Sequence, residues 1–148
     1  MKLPMKNTTN NVNDLLGRRS NQVQGLYVHV PFCAHKCGYC DFYSIVDLQD
    51  RQGAYIERIK SEISYAIQGL PKKLKTIYVG GGTPTLLRPD FLQELIVNLN
   101  KFRNTKDFEF TIEANPETIT SEIADILVEG GVTRVSMGVQ TFSLKYLN

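Results

Sequence analysis

The chain has 148 residues, 42% hydrophobic and 22% charged, with a formal net charge of +2. This composition suits one globular domain of ordinary size and excludes the unusual compositional classes. Lysines and arginines are scattered rather than clustered, so charge implies no nucleic acid partner. No run approaches the ~18 apolar residues that would suggest a membrane span.

In chain order, residues 1–24 (MKLPMKNTTNNVNDLLGRRSNQVQ) are polar and Asn-rich, without the apolar core of a secretory signal. They are expected to form a flexible tail on a cytoplasmic protein, with the folded domain spanning 25–148. GLYVHV is a predicted strand with Leu26, Val28 and Val30 on one parity and Tyr27 and His29 on the other. After a cysteine-bearing segment, Tyr55, Ile56, Ile59, Ile63, Ile67 and Leu70 recur at helical spacing, and Gly69 with Pro71 marks the stop. KTIYV is a second strand running into Gly80, Gly81 and Gly82. Pro89 opens a second helix that turns Phe91, Leu92, Leu95, Ile96, Leu99 and Phe102 inward.

DFEFTIEANPET alternates Phe108, Phe110 and Ile112 against Glu109, Thr111 and Glu113. Thr120 is placed to cap a third helix that buries Ile123, Ile126 and Leu127 and ends at Gly130 and Gly131. TRVSMGVQT is the fourth strand, with Val135, Met137 and Val139 opposite Ser136, Gly138 and Gln140. SLKYLN resembles the opening of a further helix, so the chain is expected to be an N-terminal fragment of a longer protein.

Strands separated by helix-length segments imply parallel strands with right-handed crossovers, hence an α/β fold with about four parallel strands. Fully covered parallel strands read as continuous apolar runs. Most of these strands instead carry one apolar face and one polar or small face. Two readings fit: strands at a wet edge, or a barrel lumen lined by Tyr27, His29, Glu109, Thr111, Glu113, Ser136, Gly138 and Gln140.

All three cysteines, Cys33, Cys37 and Cys40, lie in HVPFCAHKCGYCDF, at the C-terminal end of the first strand, where ligands collect in parallel α/β folds. Clustered thiols in a reducing compartment point to metal or redox chemistry rather than to a disulfide framework. A structural zinc site needs four protein ligands, and only His29 or His35 could supply the fourth. A 4Fe–4S cluster held by three thiolates leaves one iron open for a substrate or cofactor.

The order LYVHVPFC…CGYCDF, YVGGGTPT, TIEANPET and RVSMGVQTF resembles the radical S-adenosylmethionine (SAM) superfamily, from about residue 25 to the end. Within it, these motifs are similar to the branch holding oxygen-independent coproporphyrinogen III oxidases and HemW-type heme chaperones. The resemblance implies the N-terminal part of a partial (β/α)6 TIM-like barrel. It implies that Cys33, Cys37 and Cys40 hold a 4Fe–4S cluster whose open iron is chelated by SAM, and that an electron from the cluster cleaves SAM to a 5′-deoxyadenosyl radical.

The same resemblance places Tyr27, Tyr39, Gly81, Gly82, Thr83, Glu113 and Gln140 against SAM. His29 reads more readily as a packed strand histidine than as a ligand, His35 and Lys36 as tuning the loop's local field, and Arg134 as structural or surface. The oxidase branch carries a further cysteine where this chain has Phe42, and a longer N-terminal region. Both departures favour the chaperone branch, which implies heme as a ligand, heme-acceptor proteins as partners and an electron donor for the cluster. The alternative is oxidative decarboxylation of coproporphyrinogen III.

Overall fold

The computed structural model describes residues 23–46, 51–69, 74–103 and 107–146. Most of the predicted tail, and Leu70 and Pro71 at the predicted helix stop, lie outside them. Four strands, β1 (Gly25–Val30), β4 (Thr76–Gly81), β5 (Glu109–Ala114) and β6 (Arg134–Met137), form one parallel sheet in the order β1-β4-β5-β6. Three helices, α1 (Gln52–Gly69), α2 (Pro89–Leu99) and α3 (Ser121–Glu129), make the crossovers. The register runs Tyr27↔Tyr78↔Thr111↔Arg134 across all four strands, and Glu113 pairs with Ser136.

The strand alternation has the physical outcome expected of it. Val28, Val30, Ile77, Val79, Phe110 and Ile112 project to one face and are buried against Ile56 and Ile63 of α1, Leu92, Leu95, Ile96 and Leu99 of α2, and Ile123 and Leu127 of α3. Truncating a fully buried member such as Phe110 to alanine costs about 3–5 kcal/mol. Pro89 opens α2, and the Thr120 hydroxyl accepts the Ile123 N–H at 3.2 Å to cap α3. Val23 packs on the core and the Gln24 carbonyl accepts from Lys75 N–H at 2.7 Å, so the folded chain already includes residues 23 and 24.

Three features differ from the sequence pattern. First, residues 32–33 and 45–46 pair in parallel as β2 (Phe32–Cys33) and β3 (Ile45–Val46), closing the cysteine segment into a loop over 34–44. Strands this short leave no periodic signal. Second, β6 ends at Met137. Gly138 N–H makes one more bond to the Ala114 carbonyl at 3.0 Å. The chain then folds through consecutive tight bonds, Val139 N–H to Met137 O and Thr141 N–H to Val139 O, so Gln140 is not on the strand. Third, Val135 and Met137 remain 41% and 44% exposed, because β6 is the last strand of the described sheet and α3 covers it only partly. Within SLKYLN, Leu144–Tyr146 forms a single 3-10 turn.

Candidate cofactor site

The C-terminal ends of β1, β4 and β5 carry the three sequence motifs, and backbone hydrogen bonds lock the first two together. Beyond β4, Gly82 N–H donates to the Val30 carbonyl at 2.8 Å and Thr83 N–H to the Phe32 carbonyl at 2.7 Å. The glycine turn therefore runs alongside the start of the cysteine loop. Gly81 has φ +117°, a conformation L side chains rarely adopt. At Gly82 a Cβ would collide with the Phe32 carbonyl and meet Cys33 Sγ at 2.9 Å, so only a bare Cα lets this backbone lie against that cysteine.

The second and third motifs interlock through side chains. Asn115 Nδ2 donates to the buried Thr83 hydroxyl at 3.3 Å. The Thr118 hydroxyl donates to the Asn115 carbonyl at 2.8 Å, so its 2.6 Å bond to Thr85 has Thr85 as the donor. Behind the turn, the fully buried Gln52 of α1 donates to the Leu86 carbonyl and accepts from Arg88 N–H, joining α1 to the entrance of α2. GGGTPT and EANPET thus fold as one polar unit.

The cysteine loop is braced at its base and across its middle. Ile45 N–H donates to the Pro31 carbonyl at 2.8 Å, and the buried Phe32 ring meets Tyr55 edge-on with centroids 5.3 Å apart. Lys36 donates to the Phe42 carbonyl at 2.7 Å and the Ser44 hydroxyl at 3.1 Å. His29 supplies a third tie. Its Nε2 lies 2.9 Å from the Tyr43 carbonyl, which can only accept, so Nε2 carries a proton; in the neutral ring Nδ1 accepts from the Tyr27 hydroxyl at 2.9 Å.

Cys33, Cys37 and Cys40 are all free thiols and half-buried, and a Cys40 N–H to Cys37 O bond of 3.1 Å closes a turn between the last two. Tyr39, 76% exposed, projects from that turn; its phenol is pushed above the usual range, first by a hydrogen bond with Cys37. Among the described residues, no three His, Cys, Asp or Glu side chains converge on a point where they could hold a metal ion. The donor chemistry nevertheless fits an iron–sulfur cluster: three unpaired thiols on one loop, with Cys33 against a backbone that lacks a side chain. It fits structural zinc less well, because both ring nitrogens of His29 are engaged and His35 is exposed.

Beside the cysteine loop, a cavity of about 180 Å³ opens at the ends of β4, β5 and β6, lined by residues that include Gly82, Glu113, Asn115, Ser136 and Gly138. Glu113 reaches it from the polar face of β5. Tyr27 lies on the same sheet face, 55% exposed, its phenol raised first by burial and then by the charge of Glu113. Gln140 adopts φ +63° and is exposed, its amide nitrogen set beside Gly138 rather than at a strand end. Arg134 pairs with Glu109 at 3.0 Å and donates to Thr111 at 2.9 Å, a structural role. Sequence reasoning passed over Tyr78, whose hydroxyl donates to Glu113 at 2.6 Å. Its position between Ile77 and Val79 already placed it on the polar face. Asn115 lies within TIEANPET, and its bond to Thr83 is visible only in the fold.

A parallel α/β sheet with a three-cysteine loop seated on a glycine turn defines a class of protein, and comparison with known families agrees. Residues 27–148 match the radical SAM superfamily, and the chain belongs to that family. The chain is 40% identical over 119 residues to the heme chaperone HemW of Lactococcus lactis, covering 79% of this chain and 30% of that protein. It is 40% identical over 124 residues to the heme chaperone HemW of Bacillus subtilis, covering 81% of this chain and 32% of that one. The solved structure of the radical SAM enzyme coproporphyrinogen III oxidase (HemN) from Escherichia coli superposes with a TM-score of 0.79 at 30% identity, covering 92% of this chain and 32% of that one. The expected TIM-like radical SAM fold is thereby confirmed, and the chain spans about a third of the length of these relatives. The family as a whole uses a 4Fe–4S cluster and SAM. Among the described residues no helix is long and apolar enough to cross a membrane.

Proposed function

We propose that this chain is the cluster- and SAM-binding portion of a cytoplasmic heme chaperone, which binds heme and passes it to acceptor proteins. The observation that carries the site is the seating of the Cys33 thiol against the bare Gly82 backbone, which joins the cysteine loop to the glycine turn. Cys33, Cys37 and Cys40 would hold the cluster, and Tyr27, Tyr39, Gly81, Gly82, Thr83, Glu113 and Gln140 would meet SAM. The cluster, reduced by a donor protein, would supply the electron that cleaves SAM. The loop, braced by His29 and Lys36, has Cys33 against Gly82, which lines the cavity, and the glycine turn lets backbone groups approach the ligand.

The chaperone reading draws on the HemW relatives at 40% identity and on Phe42, 69% exposed, at the position of the oxidase branch's additional cysteine. The structural match to the Escherichia coli oxidase supports a second reading, oxidative decarboxylation of coproporphyrinogen III. Two measurements on the protein with its cluster reconstituted anaerobically separate them: stoichiometric heme binding followed by transfer to an acceptor, and conversion of coproporphyrinogen to protoporphyrinogen. Heme binding without conversion is expected. Conversion at enzymatic rates would overturn the chaperone reading. Changing Cys33, Cys37 or Cys40 singly to alanine is expected to abolish iron retention and visible charge-transfer absorption; full iron in any of the three variants excludes that cysteine as a ligand.

A further inference from the structure

Glu113 is not a loose carboxylate at the cavity wall. Its Oε1 accepts from the Tyr78 hydroxyl at 2.6 Å and its Oε2 from the Gly81 N–H at 2.9 Å. The two donors come from one strand, β4, and Glu113 from its neighbour, β5, so the carboxylate is held from both oxygens across the sheet. The grip is close: a Cβ on Gly80 would lie 2.6 Å from Oε2. Each carboxylate oxygen accepts one bond here and can accept a second, so the group keeps acceptor capacity toward the cavity while its orientation is set.

Tyr78 is suited to this role. Its ring is seated beside Tyr27, with centroids 6.1 Å apart, so the phenol reaches Glu113 from a packed position. The hydrogen bond to Glu113, then burial, raise the Tyr78 phenol above its usual range, with Ser136 and Arg134 pulling the other way. The hydroxyl therefore remains a donor throughout the neutral range. Without it, Glu113 would rest on a single backbone N–H, and its side-chain rotation would have to be frozen each time a ligand bound.

We propose that Tyr78 is a positioning residue that, together with the Gly81 N–H, presents Glu113 as a pre-oriented acceptor for a hydroxyl or ammonium group of the ligand in the cavity. The inference rests on the reading of this cavity as the SAM site. It extends that reading to Tyr78, the first residue of YVGGGTPT, to which the resemblance gives no role.

The test uses the cluster-loaded protein and equilibrium dialysis with labelled SAM, for the wild type, Tyr78→Phe, Glu113→Ala and the double variant. Phenylalanine keeps the ring and removes only the hydroxyl. Tyr78→Phe is expected to weaken SAM binding roughly tenfold, the scale of one charge-assisted hydrogen bond, with iron content and thermal midpoint close to wild type. In the Glu113→Ala background, Tyr78→Phe should cost nothing further, because a residue acting through Glu113 has no other route to the ligand. Wild-type-like SAM affinity in Tyr78→Phe, or its full effect persisting without Glu113, overturns the inference while leaving the SAM site standing. An iron-replete wild type that binds no SAM overturns both.

Discussion

The join between cysteine loop and glycine turn is tested most directly by adding one methyl group. In Gly82→Ala the new Cβ would collide with the Phe32 carbonyl and lie 2.9 Å from Cys33 Sγ, so the turn must move away from β2. That movement breaks two backbone bonds, Gly82 N–H to Val30 O at 2.8 Å and Thr83 N–H to Phe32 O at 2.7 Å. At about 1 kcal/mol each, with about 1 kcal/mol or more for overpacking, the loss is about 3 kcal/mol. For a domain of this size that lowers the thermal midpoint by roughly 6–12 °C. Gly38→Ala is the control: it lies in the cysteine loop itself, has nothing within 4 Å of its added Cβ and has an ordinary φ. The assay is thermal unfolding by circular dichroism together with iron content after anaerobic reconstitution. Gly82→Ala should fall in both and Gly38→Ala in neither. Equal behaviour of the two variants would refute the claim that the bare Gly82 backbone seats Cys33.

Two further outcomes follow from hydrogen bonds at β1. The Tyr55 hydroxyl donates to the His29 carbonyl at 2.8 Å, and burial, then the charges of Glu62 and Tyr27, hold its phenol far above the usual value. In the unfolded chain the same phenol ionises near about pH 10. Its contribution is therefore whole below that pH and is lost as pH rises above it. Tyr55→Phe should cost about 1 kcal/mol near neutrality and flatten the alkaline limb of a urea-stability profile; an unchanged limb contradicts the assignment. His29→Leu removes both the Tyr43 and Tyr27 bonds, and its effect should fall on the cysteine loop as faster amide exchange over 34–44, with the core unaffected; exchange rates equal to wild type would show that His29 does not brace the loop.

Much of this fold was legible because one-dimensional periodicity maps directly onto burial. Val28, Val30, Phe110 and Ile112 alternate with polar residues and are buried, and the helical spacing of Leu92, Leu95, Ile96 and Leu99 gives the buried face of α2. Alternation continues in the sequence to Gln140 and so overextends β6, although the backbone bonds after Met137 turn the chain aside. β2 and β3 are not legible in the sequence because their pairing spans the whole cysteine loop, and two residues on each side carry no period. The role of His29 is hidden in the sequence because it depends on what meets its two nitrogens, and Tyr43 is distant in sequence.

The sequence by itself determined the parallel α/β class, the family, and which residue types could serve a cluster and SAM, because those depend on local spacing and residue chemistry. The tertiary structure decided how they are joined: Gly82 against Cys33, Asn115 on Thr83, His29 between Tyr27 and Tyr43, and Glu113 held by Tyr78 and Gly81. Most of these contacts cross between strands or loops far apart in the chain, so they exist only once strand register sets which side chains share a level of the sheet.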